Sequence, residues 1–185
     1  MTKLEIWNKA LALLPHDRRV EAEDDGSLEA QRCAEHWDAA RRSVLCSREW
    51  GWAAKSAPAC CGAADIGGFF AMRPPEALFV LGLFDRTGRR VAAEAINSGF
   101  RIKEPASEIR YIEDEDDPDR WPFAFQDAVA AELAARIAPV MTDNPQRSVQ
   151  LRQDAMARLE EASRQDATET AYGGSDPLVF VHARG

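Results

Sequence analysis

Residues 27–52, SLEAQRCAEHWDAARRSVLCSREWGW, carry the pattern that decides the fold. Apolar side chains recur here every three or four residues, which places them along one face of an α-helix. Ser27 has the hydroxyl expected of an N-cap. The apolar positions are Leu28, Ala30, Cys33, Ala34, Trp37, Ala40, Val44 and Leu45, and the opposite face carries Glu29, Gln31, Arg32, Glu35, Asp38, Arg41 and Arg42. The segment therefore predicts one long amphipathic helix.

Three of the five tryptophans of the chain lie in this segment: Trp37, Trp50 and Trp52. A tryptophan pair could also stack on bases or a sugar. Because Arg48 and Lys55 are the only basic residues near Trp50 and Trp52, packing in the core is favoured. We predict a structural core built on Trp7, Trp37, Trp50 and Trp52, where the large rings bury the most apolar area.

The composition is that of one ordinary domain of 185 residues with net charge -8. Without a basic surplus to release counterions from phosphates, general affinity for nucleic acid is not expected. No apolar run is long enough to span a bilayer. Glu5, Asn8 and Lys9 interrupt the apolar N-terminal stretch, which argues against a signal peptide. We expect synthesis in a cytosol and no membrane partner.

Three further helices are predicted. The first covers 2–14, with Thr2 and Glu5 as a capping box and Pro15 as the stop, and is followed by a polar connection anchored by Val20. The third covers 122–139, and the fourth runs from Asn144 to about residue 163. Their predicted apolar stripes are Leu4, Trp7, Leu11 and Leu14 in the first, Phe125, Val129, Leu133, Ala134 and Ile137 in the third, and Val149, Met156 and Leu159 in the fourth.

Between the helical halves the pattern changes. Residues 58–76 are rich in Ala, Cys, Gly and Pro, which indicates a long loop. Residues 77–112 contain short β-prone runs separated by turn signals, which predict an antiparallel meander of three or four strands. The predicted organisation is a helical bundle over 1–57 and 122–165, the 58–76 loop, a β subdomain over 77–112, an acidic linker over 113–121 and a C-terminal arm over 166–185. The predicted fold class is α+β, mainly α: a four-helix bundle with an inserted small antiparallel β meander and an extended C-terminal arm.

The sequence offers little for chemistry. His16, His36 and His182 belong to no recognisable catalytic motif, and a surface or interface role for His36 is favoured. The adjacent pair Cys60 and Cys61 lacks the spacing of a zinc site. The acidic run over 113–119 lacks the glycine and distal Glu of a calcium loop, so a solvated linker is favoured. We predict no catalytic residue, no cofactor and no metal, and therefore no enzyme.

The end of the chain holds a compact apolar run, Leu178, Val179, Phe180 and Val181, in a tail of weak helical signal. Such a run gains little in water and often adds a strand to another chain's sheet. We predict these four residues as a subunit-interface arm.

Several stretches together resemble one family, the head-to-tail adaptors of short-tailed bacteriophages, also called tail tubular protein A or head-tail connector proteins. These are IWNKALALLP at 6–15, EAQRCAEHWDAARRSVLCSREWGWA at 29–53, PPEAL at 74–78, Trp121-Pro122 with ELAARIAP at 132–139, and ETAYGG at 169–174. The most specific part is the pattern C-x-x-x-W-D-x-A-R followed by W-x-W-A. The resemblance covers most of the chain, although residues 60–68 are not a feature of that family.

The resemblance implies a structural virion protein of the neck, made in the bacterial cytoplasm. It implies a ring, typically twelvefold, that binds the portal protein on one side and a tail or nozzle protein on the other. Genomic DNA would pass through the ring during ejection without sequence-specific binding. The alternative from the residues alone is a small acidic helical regulator or binding module encoded by a host or prophage.

Overall fold

The computed structural model describes residues 1–15, 19–64, 68–142 and 144–173, which form two compact units. The helical unit comprises Met1–Trp52 and the residues from Asp116 onward, and the β unit comprises Ala53–Glu115. The β unit is therefore an insertion into the helical unit.

The first helix is fixed by its cap and by the loop that follows it. Helix α1 spans Lys3–Ala12, and the Thr2 hydroxyl and Glu5 carboxylate bind each other's backbone N–H groups, which confirms the predicted capping box. The Asn8 side chain binds both the N–H and the carbonyl of Val20 at 2.9 Å. Val20 is buried and is the anchor that its position in the polar connection predicts.

The opening segment forms the second helix. Helix α2 spans Leu28–Cys46, and its cap Ser27 accepts the Ala30 N–H at 3.1 Å. Two residues of the predicted polar face, Glu29 and Arg41, are buried instead. The long arginine stem covers apolar surface, as amphipathic side chains often do. Leu28 and Ala34 of the predicted apolar stripe are exposed, so the buried face of α2 and the predicted stripe coincide only in part.

The other two helices form a hairpin. Helix α3 spans Phe123–Met141 and helix α4 spans Pro145–Gly173. Helix α4 packs along α3, and α1 and α2 also pack on α3. Much of the α3 surface is small, because alanine recurs on several of its faces. The buried alanines of α3 are Ala128, Ala130, Ala131, Ala134, Ala135 and Ala138.

The predicted four-helix bundle is wrong. In such a bundle each helix packs on its neighbours around a shared core. Here α3 is the central helix, and the other three use it as their common packing partner. The physical reason is that α3 is apolar nearly all round, and such a helix is stable only when it is enclosed. Helix α4 also continues to Gly173, so residues 166–173 of the predicted arm are helical.

The β unit contains eight strands. They are β1 Ala54–Pro58, β2 Cys61–Ala64, β3 Gly68–Met72, β4 Ala77–Phe84, β5 Arg90–Val91, β6 Ala93–Ile96, β7 Gly99–Ile102 and β8 Glu108–Glu113. They form two antiparallel four-stranded sheets, with strand orders β1-β8-β4-β5 and β2-β3-β7-β6. The chain changes sheet four times: between β1 and β2, between β3 and β4, at Ala92 between β5 and β6, and between β7 and β8.

The predicted small meander is therefore also wrong. Strands β2 and β3 lie inside residues 58–76, which the sequence predicted as a loop. A small residue allows close strand approach here: a Cβ on Gly68 of β3 would lie 2.8 Å from the carbonyl oxygen of Ile102 on β7. Because the segment is rich in glycine and alanine, it lacks the alternating β-branched residues from which a strand is predicted. The segment after β8 contains one 3₁₀ turn, Pro118–Arg120.

The β unit has its own core, with members from both sheets. These residues are Ala71, Leu83, Val91, Ile102, Ala106 and Ile109. Side chains of facing sheets interdigitate to form such a core. The two sheets therefore enclose one aliphatic layer.

Candidate interaction surfaces

The core of the helical unit is a continuous aromatic cluster, defined as the five tryptophans and Phe125. Trp37 of α2 stacks on Trp121 with ring centroids 5.8 Å apart, and it meets Trp7 of α1 edge-on at 6.4 Å. Trp121 meets Phe125, in the first turn of α3, at 5.2 Å. Such offset and edge-to-face pairs add stabilisation beyond their burial. The rings join α1, α2 and α3.

The turn after α2 adds the remaining two tryptophans. The ring centroids of Trp50 and Trp52 lie 5.1 and 4.8 Å from that of Phe125. The Trp50 indole N–H donates to the Val44 carbonyl at 2.9 Å. Between them, the Gly51 N–H donates to the Asp166 carboxylate of α4 at 2.8 Å. This turn therefore lies between α3 and the last turns of α4.

The structure places the predicted site residues as follows. Trp7, Trp37 and Trp50 are buried, and Trp52 is half-buried against Phe125. The sequence prediction missed Trp121, which completes the cluster; its signal was its place beside Pro122 at the start of the third helix. The arm residues Leu178, Val179, Phe180 and Val181 lie outside the described residues.

The histidines and cysteines considered for chemistry differ in burial. His36 is half-buried on α2, whereas His16 and His182 lie outside the described residues. Burial, with the nearby carboxylate of Glu29, raises the pKa of the Cys33 thiol to about 12, so this thiol is protonated at neutral pH. Cys60 is exposed at the crossing between the two sheets.

Within residues 1–15, 19–64, 68–142 and 144–173, no three or more His, Cys, Asp or Glu side chains are grouped so that they could hold a metal ion. Over the same ranges, none of the helices combines the length and apolar character that crossing a membrane requires.

Helix α4 exposes apolar side chains on the face away from α3. Val149 and Met156 are 58% and 60% exposed, although the sequence predicted them as part of the buried stripe. The buried positions of α4 are instead Leu151, Ala155 and Ala162. At 100° per residue, Val149 and Met156 lie roughly 130° around the helix from that buried line. We call Val149 and Met156 the outer face of α4.

The β unit has a groove of about 440 Å³ between the two sheets, at the side where β5 and β6 form the sheet edges. Apolar side chains from β4, β5, β6 and β7 line it, and Arg90 is the charged residue in its wall. The apolar lining includes Val80, Leu81, Leu83, Ala93, Ala95 and Phe100. We call this the β4/β6 groove.

Comparison with known proteins gave no relative: no family model matches the chain, and no curated protein matches it.

Proposed function

We propose that this chain is the subunit of a phage head-to-tail adaptor, a ring between the portal and the tail through which the genome passes. The proposal depends on the sequence resemblance and on the chemistry of the exposed surfaces of the helical unit. In this role the chain binds copies of itself, a portal protein and a tail protein, and its lumen lets duplex DNA slide.

One observation supports the proposal most: the majority of the residues in the resemblance motif are core residues of the helical unit. Cys33, Trp37, Ala40, Arg41 and Trp50 are buried, with at most 6% exposure, whereas Asp38 is exposed and Trp52 is half-buried. A motif of buried residues specifies how helices pack, and it is the type of similarity that distant structural proteins retain. The likeness therefore argues for a shared helical scaffold rather than for a shared reactive site.

The outer face of α4 supports an assembling protein. Val149 and Met156 lie two turns apart on one side of a 29-residue helix. Exposed apolar side chains in a shared row are typical of surfaces that another protein covers. In a closed ring the same rotation relates every subunit to the next, so the same row of side chains lies at every subunit contact.

The charge distribution supports passage of DNA without capture. Of the 23 Lys and Arg and 31 Asp and Glu in the chain, the β unit contains eight and nine. The rest of the chain therefore carries -7 of the net charge of -8. An acidic lumen repels phosphates, whereas a basic one would bind them by counterion release.

Light scattering after size exclusion tests the proposal, with the full chain alone and mixed with portal rings. We expect the chain to assemble into a ring at least when portal rings are present, so that the measured mass exceeds that of the portal alone. Met156→Glu should prevent it, because the substitution buries a charge in the subunit contact. Ala39→Glu, at an exposed alanine on α2, should assemble like wild type. A chain that stays monomeric both alone and in the presence of portal rings would contradict the proposal.

A further inference from the structure

The β4/β6 groove is bordered by a strand edge that lacks a continuous partner. Strand β4 covers Ala77–Phe84, but it pairs with β5 only at Leu83 and Phe84. The cause is the change of sheet at Ala92, after which the chain pairs with β7 in the other sheet. Within the described part of the chain, the preceding residues of β4 thus have no strand on that side.

Two arginines bind the carbonyl groups along this edge. An Arg90 guanidinium N–H donates to the Leu81 carbonyl at 2.8 Å, and Arg73 donates to the carbonyls of Ala77 and Leu78 at 2.9 and 2.8 Å. All these bonds are made by exposed side chains. A strand N–H can replace such a donor, because exposed side chains exchange partners at little cost. The edge is therefore occupied by groups that an added strand can displace.

The opposite edge of the same sheet is closed to such an addition. Strand β1 carries Lys55 and ends at Pro58, which has no N–H to donate. A charged residue and a proline are the usual means by which an edge strand prevents pairing. The sheet thus has one blocked edge and one edge beside an apolar groove.

We propose that residues Leu178–Val181 of a second copy of the chain bind in the β4/β6 groove as an added strand on β4. This inference builds on the proposed ring, because closed symmetry brings the end of each chain to the same surface of its neighbour. Four residues, 174–177, separate Leu178 from Gly173, the last residue that the structure describes. Fully extended, this stretch carries Leu178 about 17 Å from Gly173.

The chemistry of the segment matches that of the groove. Leu178, Val179, Phe180 and Val181 are apolar, and two of them are β-branched, as strands favour. Alternate side chains of an added strand point into the groove, while its backbone pairs with β4. Asp176, two residues before the run, supplies a carboxylate for the arginine that the strand displaces from Leu81.

A photo-crosslinker in place of Phe180, in the full chain, tests the proposal. Isotope-labelled and unlabelled copies are mixed before irradiation, and the cross-linked peptides are identified by mass spectrometry. We expect cross-links to residues 79–82 and 92–95, mostly between a labelled and an unlabelled peptide. Cross-links to the helical unit, or only within one copy, would overturn the proposal.

Two alanine-to-glutamate variants, one in the groove and one outside it, provide the matched comparison. Ala95→Glu places a charge in the groove and should reduce the cross-link yield at least fivefold. Ala54→Glu places the same charge on the exposed β1 edge and should leave the yield unchanged; equal yields in both variants would overturn the proposal.

Rings that form while the cross-links lie elsewhere would reject the groove and leave the adaptor function standing. Failure to form rings, together with cross-links between copies in the groove, would reject the adaptor function and leave the groove standing.

Discussion

The two units of the chain have cores of opposite character. The helical unit packs five tryptophans and Phe125 into one cluster, whereas the buried residues of the β unit's core are aliphatic and include two alanines. Large aromatic rings bury much apolar area per residue, whereas each small aliphatic side chain buries little. The helical unit is therefore built for rigidity. The β unit instead leaves part of a sheet edge and a groove accessible.

The strongest test of this difference is Trp37→Ala. Trp37 lies between Trp7 and Trp121, so its removal leaves a cavity at the meeting point of three elements, and we expect a loss of about 3–5 kcal/mol in the free energy of unfolding. Tryptophan fluorescence during urea unfolding measures it, since every tryptophan lies in the helical unit. Phe123→Ala, at a ring that is 68% exposed, is the aromatic control and should cost much less. Equal losses in both variants would contradict the aromatic core.

The corresponding test of the β unit is Ile102→Ala. Ile102 is 1% exposed in the aliphatic core, and we expect a loss of about 2–3 kcal/mol. Ile96→Ala, at a half-buried position on β6, is the matched control and should cost about half as much. Amide hydrogen exchange of β-unit peptides reports the change. Unaltered exchange in Ile102→Ala would show that the β unit does not depend on this core.

Gly51→Ala tests how the aromatic turn lies on α4. A Cβ at residue 51 would overlap the Thr170 hydroxyl, so we expect a loss of about 1–2 kcal/mol. Thr170→Ala removes the obstacle, and the double variant should recover wild-type stability in a double-mutant cycle. Additive losses in that cycle would mean that the turn and the end of α4 are not in contact.

A smaller effect concerns acid and the β4–β5 turn. Hydrogen bonds from the Thr87 side chain, followed by those from the Arg89 and Thr87 backbone, hold the pKa of Asp85 at about 2, below its usual 3.8. A carboxyl with a depressed pKa stabilises the fold above its unfolded pKa, and this contribution is lost as the pH falls from 3.8 through about 2. Carboxyl NMR titration should show that low midpoint in the native protein, and Thr87→Ala should raise it. A native midpoint near 3.8 would contradict the turn geometry.

No effect at all is expected for duplex DNA. With -7 on the helical portion and -1 on the β unit, neither unit has a basic surplus. We expect no gel shift at about 0.15 M salt, where charges are screened within about 8 Å. Submicromolar binding would favour the alternative of a regulator over the adaptor.

The sequence predicted the local features of the helices well, because caps and apolar spacing act over a few residues. The Thr2 capping box, the Ser27 cap and the Val20 anchor are examples. It failed where tertiary context decides. Val149 and Met156 were predicted in the apolar stripe of the fourth helix, but its buried positions are Leu151, Ala155 and Ala162, and α4 packs along the alanine-rich α3.

The β unit was harder to predict for a related reason. Strands β2 and β3 are made largely of Gly, Ala and Cys, whose strand preference is weak, and they exist because β7 and the facing sheet enclose them. The β4/β6 groove lies between strands of two different sheets, and no local sequence pattern encodes which strands face each other. The apolar run over 178–181 was visible in the sequence, but the edge that it could pair with was not.

Electron cryomicroscopy of the full chain mixed with portal rings shows whether the chain forms a ring on a portal. We expect a closed ring on one face of the portal, one chain per position, with the outer face of α4 at the subunit contact. Bare portal rings in the presence of excess chain would contradict it.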